Sequence, residues 1–454
     1  MPRARVAPAA YRRVALVIRV AEFVHDLRWA QVPEPVRERV RTAILDTAAV
    51  GCAGATLPVA DAWSAVARAD LGAAGPDGAR VLGLNLRAPV PVAAMVGAGL
   101  VDAFDAHDGH PLCKGHAGAA VVPAALAWAD ARGTTDWVEL ALGVLVGYEV
   151  ATRAGIALHA TAAIHHSSGA WNALGVAALG ARGLGLDRGR TREALGIAEY
   201  SGPRSPLLRV ARHPTMVKDG SAFGAFTGAL AASLAASGFT GAPAELVEHP
   251  AVGDLWADLG TRWRILEHYV KPWPVCRWVQ PAVEAVLDLR RRHPSLAPED
   301  VTRVRVSTFA DAVSLDTRAP READAAQYSL PFAVAVALVH AEIRAEHLTG
   351  GGLDDPDVLR VAGLLDASVD ATAEARYPAE RWARVEIVLR DGATLDSGRH
   401  TTRGDPDRPL TATEVEAKVR SNCAALGSVR AERFWRAGTA PRPDLRELLD
   451  ALLG

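Results

Sequence analysis

The chain has 454 residues, half of them apolar, and a formal charge of −2. That length exceeds one simple core and predicts two domains or three, and the near-neutral charge argues against nucleic-acid and membrane-surface roles, which need a basic excess. Cys52, Cys113, Cys276 and Cys423 stand far apart with no CxxC pair, so neither a structural zinc site nor a cysteine-ligated cluster is expected, and a reducing, cytoplasmic setting is.

Arginines at 3, 5, 12, 13 and 19 break any apolar run that could serve as a signal segment. Apolar residues then recur at three- and four-residue spacings, predicting helices over 35–51, 92–104, 135–157, 169–182 and 222–237. Gly143/Gly147 and Gly224/Gly228 repeat at i, i+4, a pattern that lets helix backbones approach closely. No stretch of about 18 uninterrupted apolar residues occurs, so a membrane span is not expected. The pattern changes after Lys271: 301–309 alternates like a half-buried strand, and 384–397 with its Asp391-Gly392 turn reads as a hairpin. Helices over 281–292 and 330–344 lie between, and helices return at 411–423 and 444–453. The expected fold is mainly α: a large all-α domain built from both chain ends, 1–266 and 403–454, plus a smaller α+β lid over 267–402.

Chemistry concentrates first between Asp105 and Gly118, where Asp105, His107, Asp108, His110, Lys114 and His116 share a segment with three glycines. Imidazoles titrate near neutral pH and carboxylates complement them, so acid–base work is expected; a metal site remains an alternative, although no standard zinc spacing is present. His165-His166-Ser167-Ser168 precedes a helix whose N-terminus, capped by Ser167 or Ser168, could face an anion. Lys218-Asp219-Gly220 stands at the mouth of another helix, and Lys271-Pro-Trp-Pro-Val-Cys276-Arg277 forms a stiff cationic segment at the domain junction. No GxGxxG, P-loop or GxSxG motif accompanies them, which points to cofactor-independent proton transfer on an anionic substrate.

Several of these segments match one family. Ile44-Leu45-Asp46-Thr47, the Phe104–Gly118 loop, His166 before a Gly-Ala helix, Lys218 after Thr-Met-Val, Lys271-Pro-Trp-Pro-Val-Cys276-Arg277, Gln327-Tyr328-Ser329-Leu330-Pro331-Phe332 and Arg403-Gly404-Asp405-Pro406 resemble motifs spread through nearly the whole chain. The chain resembles the MmgE/PrpD family, which holds 2-methylcitrate dehydratases, cis-aconitate decarboxylases and iminodisuccinate epimerases. The resemblance implies a helical domain with an α+β lid, a homodimer, no cofactor and no metal. It also implies a catalytic set of Asp105, His116, His166, Lys218 and Lys271 in an interdomain cleft. His107, Asp108, His110, His165, Arg277 and Phe332 are expected to contact substrate. Asp105-Ala106-His107 stands where the family has D-D-[ST], Asp219-Gly220 replaces Leu-His-Pro-Gly, Gln280 replaces a histidine and Phe332 a tyrosine, departures that mark a divergent subgroup.

The expected activity is a dehydratase-type lyase acting on a small di- or tricarboxylate. Decarboxylation and epimerisation are its rivals within the family. A metal-dependent hydrolase built on the Asp105–His116 loop and a non-catalytic anion-binding protein are its rivals outside it.

Overall fold

Small side chains shape the helical body of this protein, whose computed structural model describes residues 9–72 and 78–454; Arg3 and Arg5 of the N-terminal arginine series lie outside them. Helices Glu34–Gly54, Val90–Phe104, Gly118–Ala131, Trp137–Thr161, Gly169–Leu184 and Ser221–Ala236 pack about one apolar core. A Cβ on Gly175 would overlap the Gly147 carbonyl, and one on Gly228 the Ala173 carbonyl, so these helices touch backbone to backbone. The same core takes in Val419, Phe434 and Leu445–Leu453 from the far end of the chain.

Helix Trp137–Thr161 is long and apolar enough to cross a bilayer, although polar residues interrupt its apolar runs, and its most apolar stretch is buried in the protein. Glu149 and Arg153 pair inside it, and Arg153 also donates to Asp258 Oδ1 and the Arg262 carbonyl, each at 2.8 Å. A buried guanidinium needs such partners. Here they pin the segment that leads into Lys271.

A second core lies in the lid. Its four-stranded sheet has the order Leu365–Val369, Val301–Thr308, Ala383–Leu389, Thr394–His400, with the first pair parallel and the others antiparallel. Helices Gln280–Arg292 and Leu330–His340 belong to the same core. The parallel strand, fed by helix Pro356–Gly363, was not legible because Leu365-Asp-Ala-Ser-Val buries only its first residue well. The helix from Leu330 stops at His340, four residues early, where Ala341 turns left-handed (φ 58°). With 60% helix and 9% strand the fold is mainly α with a small α+β part.

The two cores meet at backbone bonds. Gly109 and Tyr269 exchange N–H···O bonds at 2.8 and 3.1 Å, and Val270 N–H donates to the Gly404 carbonyl at 2.8 Å. Gln327 adds side-chain donors to the Ala103 and Phe104 carbonyls at 3.1 and 3.2 Å. The lid is therefore bonded to the end of helix Val90–Phe104, where the loop begins.

Candidate active site

Helix Val90–Phe104 ends as Asp105 turns left-handed (φ 56°), a conformation unfavourable for a residue with a Cβ. Lys114 (φ 46°) and Lys218 (φ 48°) are left-handed too. The loop glycines serve for close approach: a Cβ on Gly109 would overlap the Tyr269 hydroxyl. The strain sits on the polar residues themselves. The Lys271 ammonium holds Asp105 in place, 2.6 Å from Oδ1 and 2.8 Å from its carbonyl oxygen. Both residues are buried, and each supplies the charge the other lacks.

His116 follows the same logic. Its backbone N–H donates to Ser168 Oγ at 3.0 Å, and its Nδ1–H donates to the Asp108 carbonyl at 2.5 Å. A carbonyl only accepts, so the neutral ring carries its free lone pair on Nε2. That nitrogen lies 3.6 Å from Asp219 Oδ2. Burial, then the Lys271 charge, lowers the His116 pKa, and burial raises that of Asp219. Neutral forms are favoured on both sides, an arrangement in which one proton is readily exchanged.

Lys218 donates to Gln327 and lies 2.8 Å from Asp324 Oδ1, with its ammonium over the Tyr328 ring. Arg277 pairs with Asp405 at 2.6 Å and stacks over Tyr269. Between body and lid opens a small cleft of about 50 Å³, lined by Lys114, His116, Asp219, Lys271, Arg277 and Arg381, with Tyr269, Cys276, Tyr328 and several apolar side chains. Four cations and one carboxylate give it a positive interior that would receive an anion.

His116, Lys271 and Arg277 thus line one cleft, with Asp105 behind Lys271 and Lys218 behind Tyr328. His166 and its neighbour do not reach it: His165 is exposed and edges onto His159, and His166 pairs through its backbone with Pro206. The Ser168 hydroxyl goes to His116 rather than capping its own helix. At the start of helix Ser221–Ala236, beside Lys218, the Ser221 N–H donates to Asp102 Oδ2 at 2.9 Å.

The substrate-contact set needs correction. Phe332 is fully buried in the lid core, because the inner face of helix Leu330–His340 carries it away from the cleft. Tyr328, just before that helix, lines the cleft instead. His110 pairs with Glu267 at 3.1 Å, and Asp108 Oδ2 lies 3.3 Å from His268 Nδ1; both bonds brace the loop against the 258–268 segment. Burial lowers His110 to about 4, and hydrogen bonds from His110 and Arg262 pull Glu267 down to about 2 against its own burial. His107 sits behind His116, ring centroids 4.2 Å apart, with Nε2 3.6 Å from Asp102 Oδ1. The residues sequence reasoning missed are Asp102, Asp219, Tyr328 and Arg381. Asp219 and Tyr328 stood inside quoted motifs, whereas Asp102 and Arg381 carried no local signal.

Asp105, His107 and His116 each offer a ligand atom, all within 4.8 Å of one another. The Lys271 ammonium already supplies a cation to Asp105, so a divalent ion would meet a fixed positive charge there. The donors fit acid–base use better than metal binding.

Comparison with known proteins identifies the family. A model of the MmgE/PrpD N-terminal domain matches residues 18–257, and one of the MmgE/PrpD C-terminal domain matches 273–439. The chain is 24% identical to the cis-aconitate decarboxylase-like protein oryM of Aspergillus oryzae, over 96% of each chain. It is also 24% identical to the cis-aconitate decarboxylase of Aspergillus terreus, over 83% of each, and to that of Homo sapiens, over 89% of this chain and 87% of the relative. The two family models flank the junction segment, leaving 258–272 between them, and the first alone spans more than half of the chain; on that ground the chain belongs to the MmgE/PrpD family.

Proposed function

We propose that the protein is a lyase that decarboxylates a small di- or tricarboxylic acid in the cleft between body and lid. One observation carries the reading: a buried acid–base pair, His116 and Asp219, opens onto a cleft lined by Lys114, Lys271, Arg277 and Arg381. The cations hold the carboxylates that remain. Leu207, Val210 and Trp278 in the same lining desolvate the one that leaves. The C–C bond breaks, CO₂ departs, and its electron pair stays on carbon beside a retained carboxylate. Well-placed cationic donors stabilise that charge, each by about 3–4 kcal/mol. The proton held between His116 Nε2 and Asp219 then goes to carbon. Relatives named cis-aconitate decarboxylase support the carboxy-lyase form.

Dehydration is a second reading, favoured by the same pair: His116 would take a proton at carbon while Asp219, raised by burial, protonates the departing hydroxyl. Incubation with cis-aconitate and with hydroxylated tricarboxylates separates the two. CO₂ release supports decarboxylation, an unsaturated product without CO₂ supports dehydration, and turnover of neither class sinks both. A homodimer belongs to the proposal, supported by exposed Met216, Val217 and Phe223 beside Lys218, and sedimentation in solution tests it. So does a reducing cytoplasmic setting, supported by four buried free thiols.

A further inference from the structure

The loop that carries Asp105 and His107 is held from behind by a lysine from the other end of the chain. Thr411 and Glu414 form a capping box at the start of helix Ala412–Asn422. That helix brings Lys418 against the body, with its ammonium 2.7 and 2.9 Å from the two Asp46 oxygens and 2.7 Å from the Ala106 carbonyl. The Lys418 side chain is 8% exposed and that of Asp46 1%, so each charge has the other as its main partner.

Ala106 lies between Asp105 and His107, and Asp105 is the left-handed residue of the turn. Its carbonyl is held by Lys271 and the next carbonyl by Lys418. Two consecutive peptide oxygens thus each receive an ammonium, one from the domain junction and one from the C-terminal helix. We propose that Lys418, charge-balanced by Asp46, is a positioning residue that clamps the Ala106 carbonyl and keeps the Asp105 carboxylate on Lys271 and the His107 ring behind His116. The proposal rests on the lyase reading for what the loop does, and on geometry alone for how it is held. Lys418 also lines a cavity on this side of the loop together with Phe104, Ala106, Pro272 and Asn422, which gives a small amine a route to its place.

The test compares Lys418→Met, Lys418→Arg and Lys418→Ala. A misaimed reacting group costs about a hundredfold in rate, so Lys418→Met is expected to lose kcat on that scale while KM stays within about threefold. Lys418→Arg restores part of the loss, and propylammonium added to Lys418→Ala restores turnover in a saturable way. A folded Lys418→Met with wild-type kcat overturns the proposal. So does a loss that neither arginine nor the added amine repairs. Where Lys418→Met does not fold, Asp46→Asn is read by the same criteria. Absence of turnover in the wild-type protein bears on the lyase reading only. The clamp is then read from a crystal structure of Lys418→Met, or of Asp46→Asn: Asp105 displaced from Lys271 upholds it, and Asp105 unmoved overturns it.

Discussion

Two histidine-rich segments looked alike as sequence and differ as structure. Between Asp105 and His116 every imidazole is buried: His116 is tied to the Asp108 carbonyl and His110 to Glu267, while His107 packs against His116 beside Asp102. At 165–166 the rings are exposed or half-buried, and the His166 backbone bonds to the His159 ring. Imidazole content alone does not mark a reacting centre. An anchored tautomer, a buried carboxylate opposite it and a cleft in front of it do.

The sharpest way to break this contrast is to exchange the two sites' fates by mutation. His116→Gln is expected to lower kcat by about 10²–10⁴-fold, the usual range for a positioned acid–base group, with KM little changed. Steady-state kinetics checks it, and a loss below tenfold would move the chemistry elsewhere. Lys271→Met acts through stability as well. It leaves Asp105 buried without its cation, a change that costs about 3–5 kcal/mol, seen as a lowered midpoint in denaturant and as lost activity.

His110 sharpens the comparison through pH. Its pKa of about 4 in the folded protein lies below the ordinary histidine value of about 6.5. Between those two values the unfolded chain binds more protons, so stability falls as the pH drops through that window and stops falling below it. His110→Asn is expected to remove part of that slope, on the order of 3 kcal/mol over the window, and unfolding curves at pH 7 and 4.5 measure it. A slope unchanged by the substitution would mean that His110 titrates normally. The smallest effect belongs to His166→Ala: less than about tenfold in kcat and within about 0.5 kcal/mol in stability. A loss as large as that of His116→Gln would show that this segment moves into the cleft during turnover.

Much of the fold was legible because period and punctuation agree with it. The helix expected over 92–104 occurs as Val90–Phe104, and the strand over 301–309 as Val301–Thr308. The capping residues Thr411 and Asp444 open the two expected C-terminal helices, and a third, Ser428–Thr439, lies between them. The short parallel strand was lost because two turns of helix and a strand with one well-buried residue leave no periodic trace. In the site, Asp105, His116, Lys218, Lys271 and Arg277 were readable as a concentration of proton-transfer and cationic groups beside rigid backbone. Phe332 was chosen over Tyr328 although they stand four apart, because sequence shows a helix's residues but not which neighbour its faces meet. Lys418 left no signal, since a lysine on an amphipathic helix is normally exposed; only the fold reveals that it reaches Ala106.

The most direct test is turnover of a tricarboxylate in deuterated, chelator-treated buffer, followed by mass spectrometry of the product and of released CO₂. The expected result is one deuterium at the carbon that lost CO₂, formed by the wild-type protein and not by His116→Gln. Undiminished turnover by His116→Gln, or activity abolished by the chelator and restored by a divalent ion, would contradict proton delivery by His116 and Asp219.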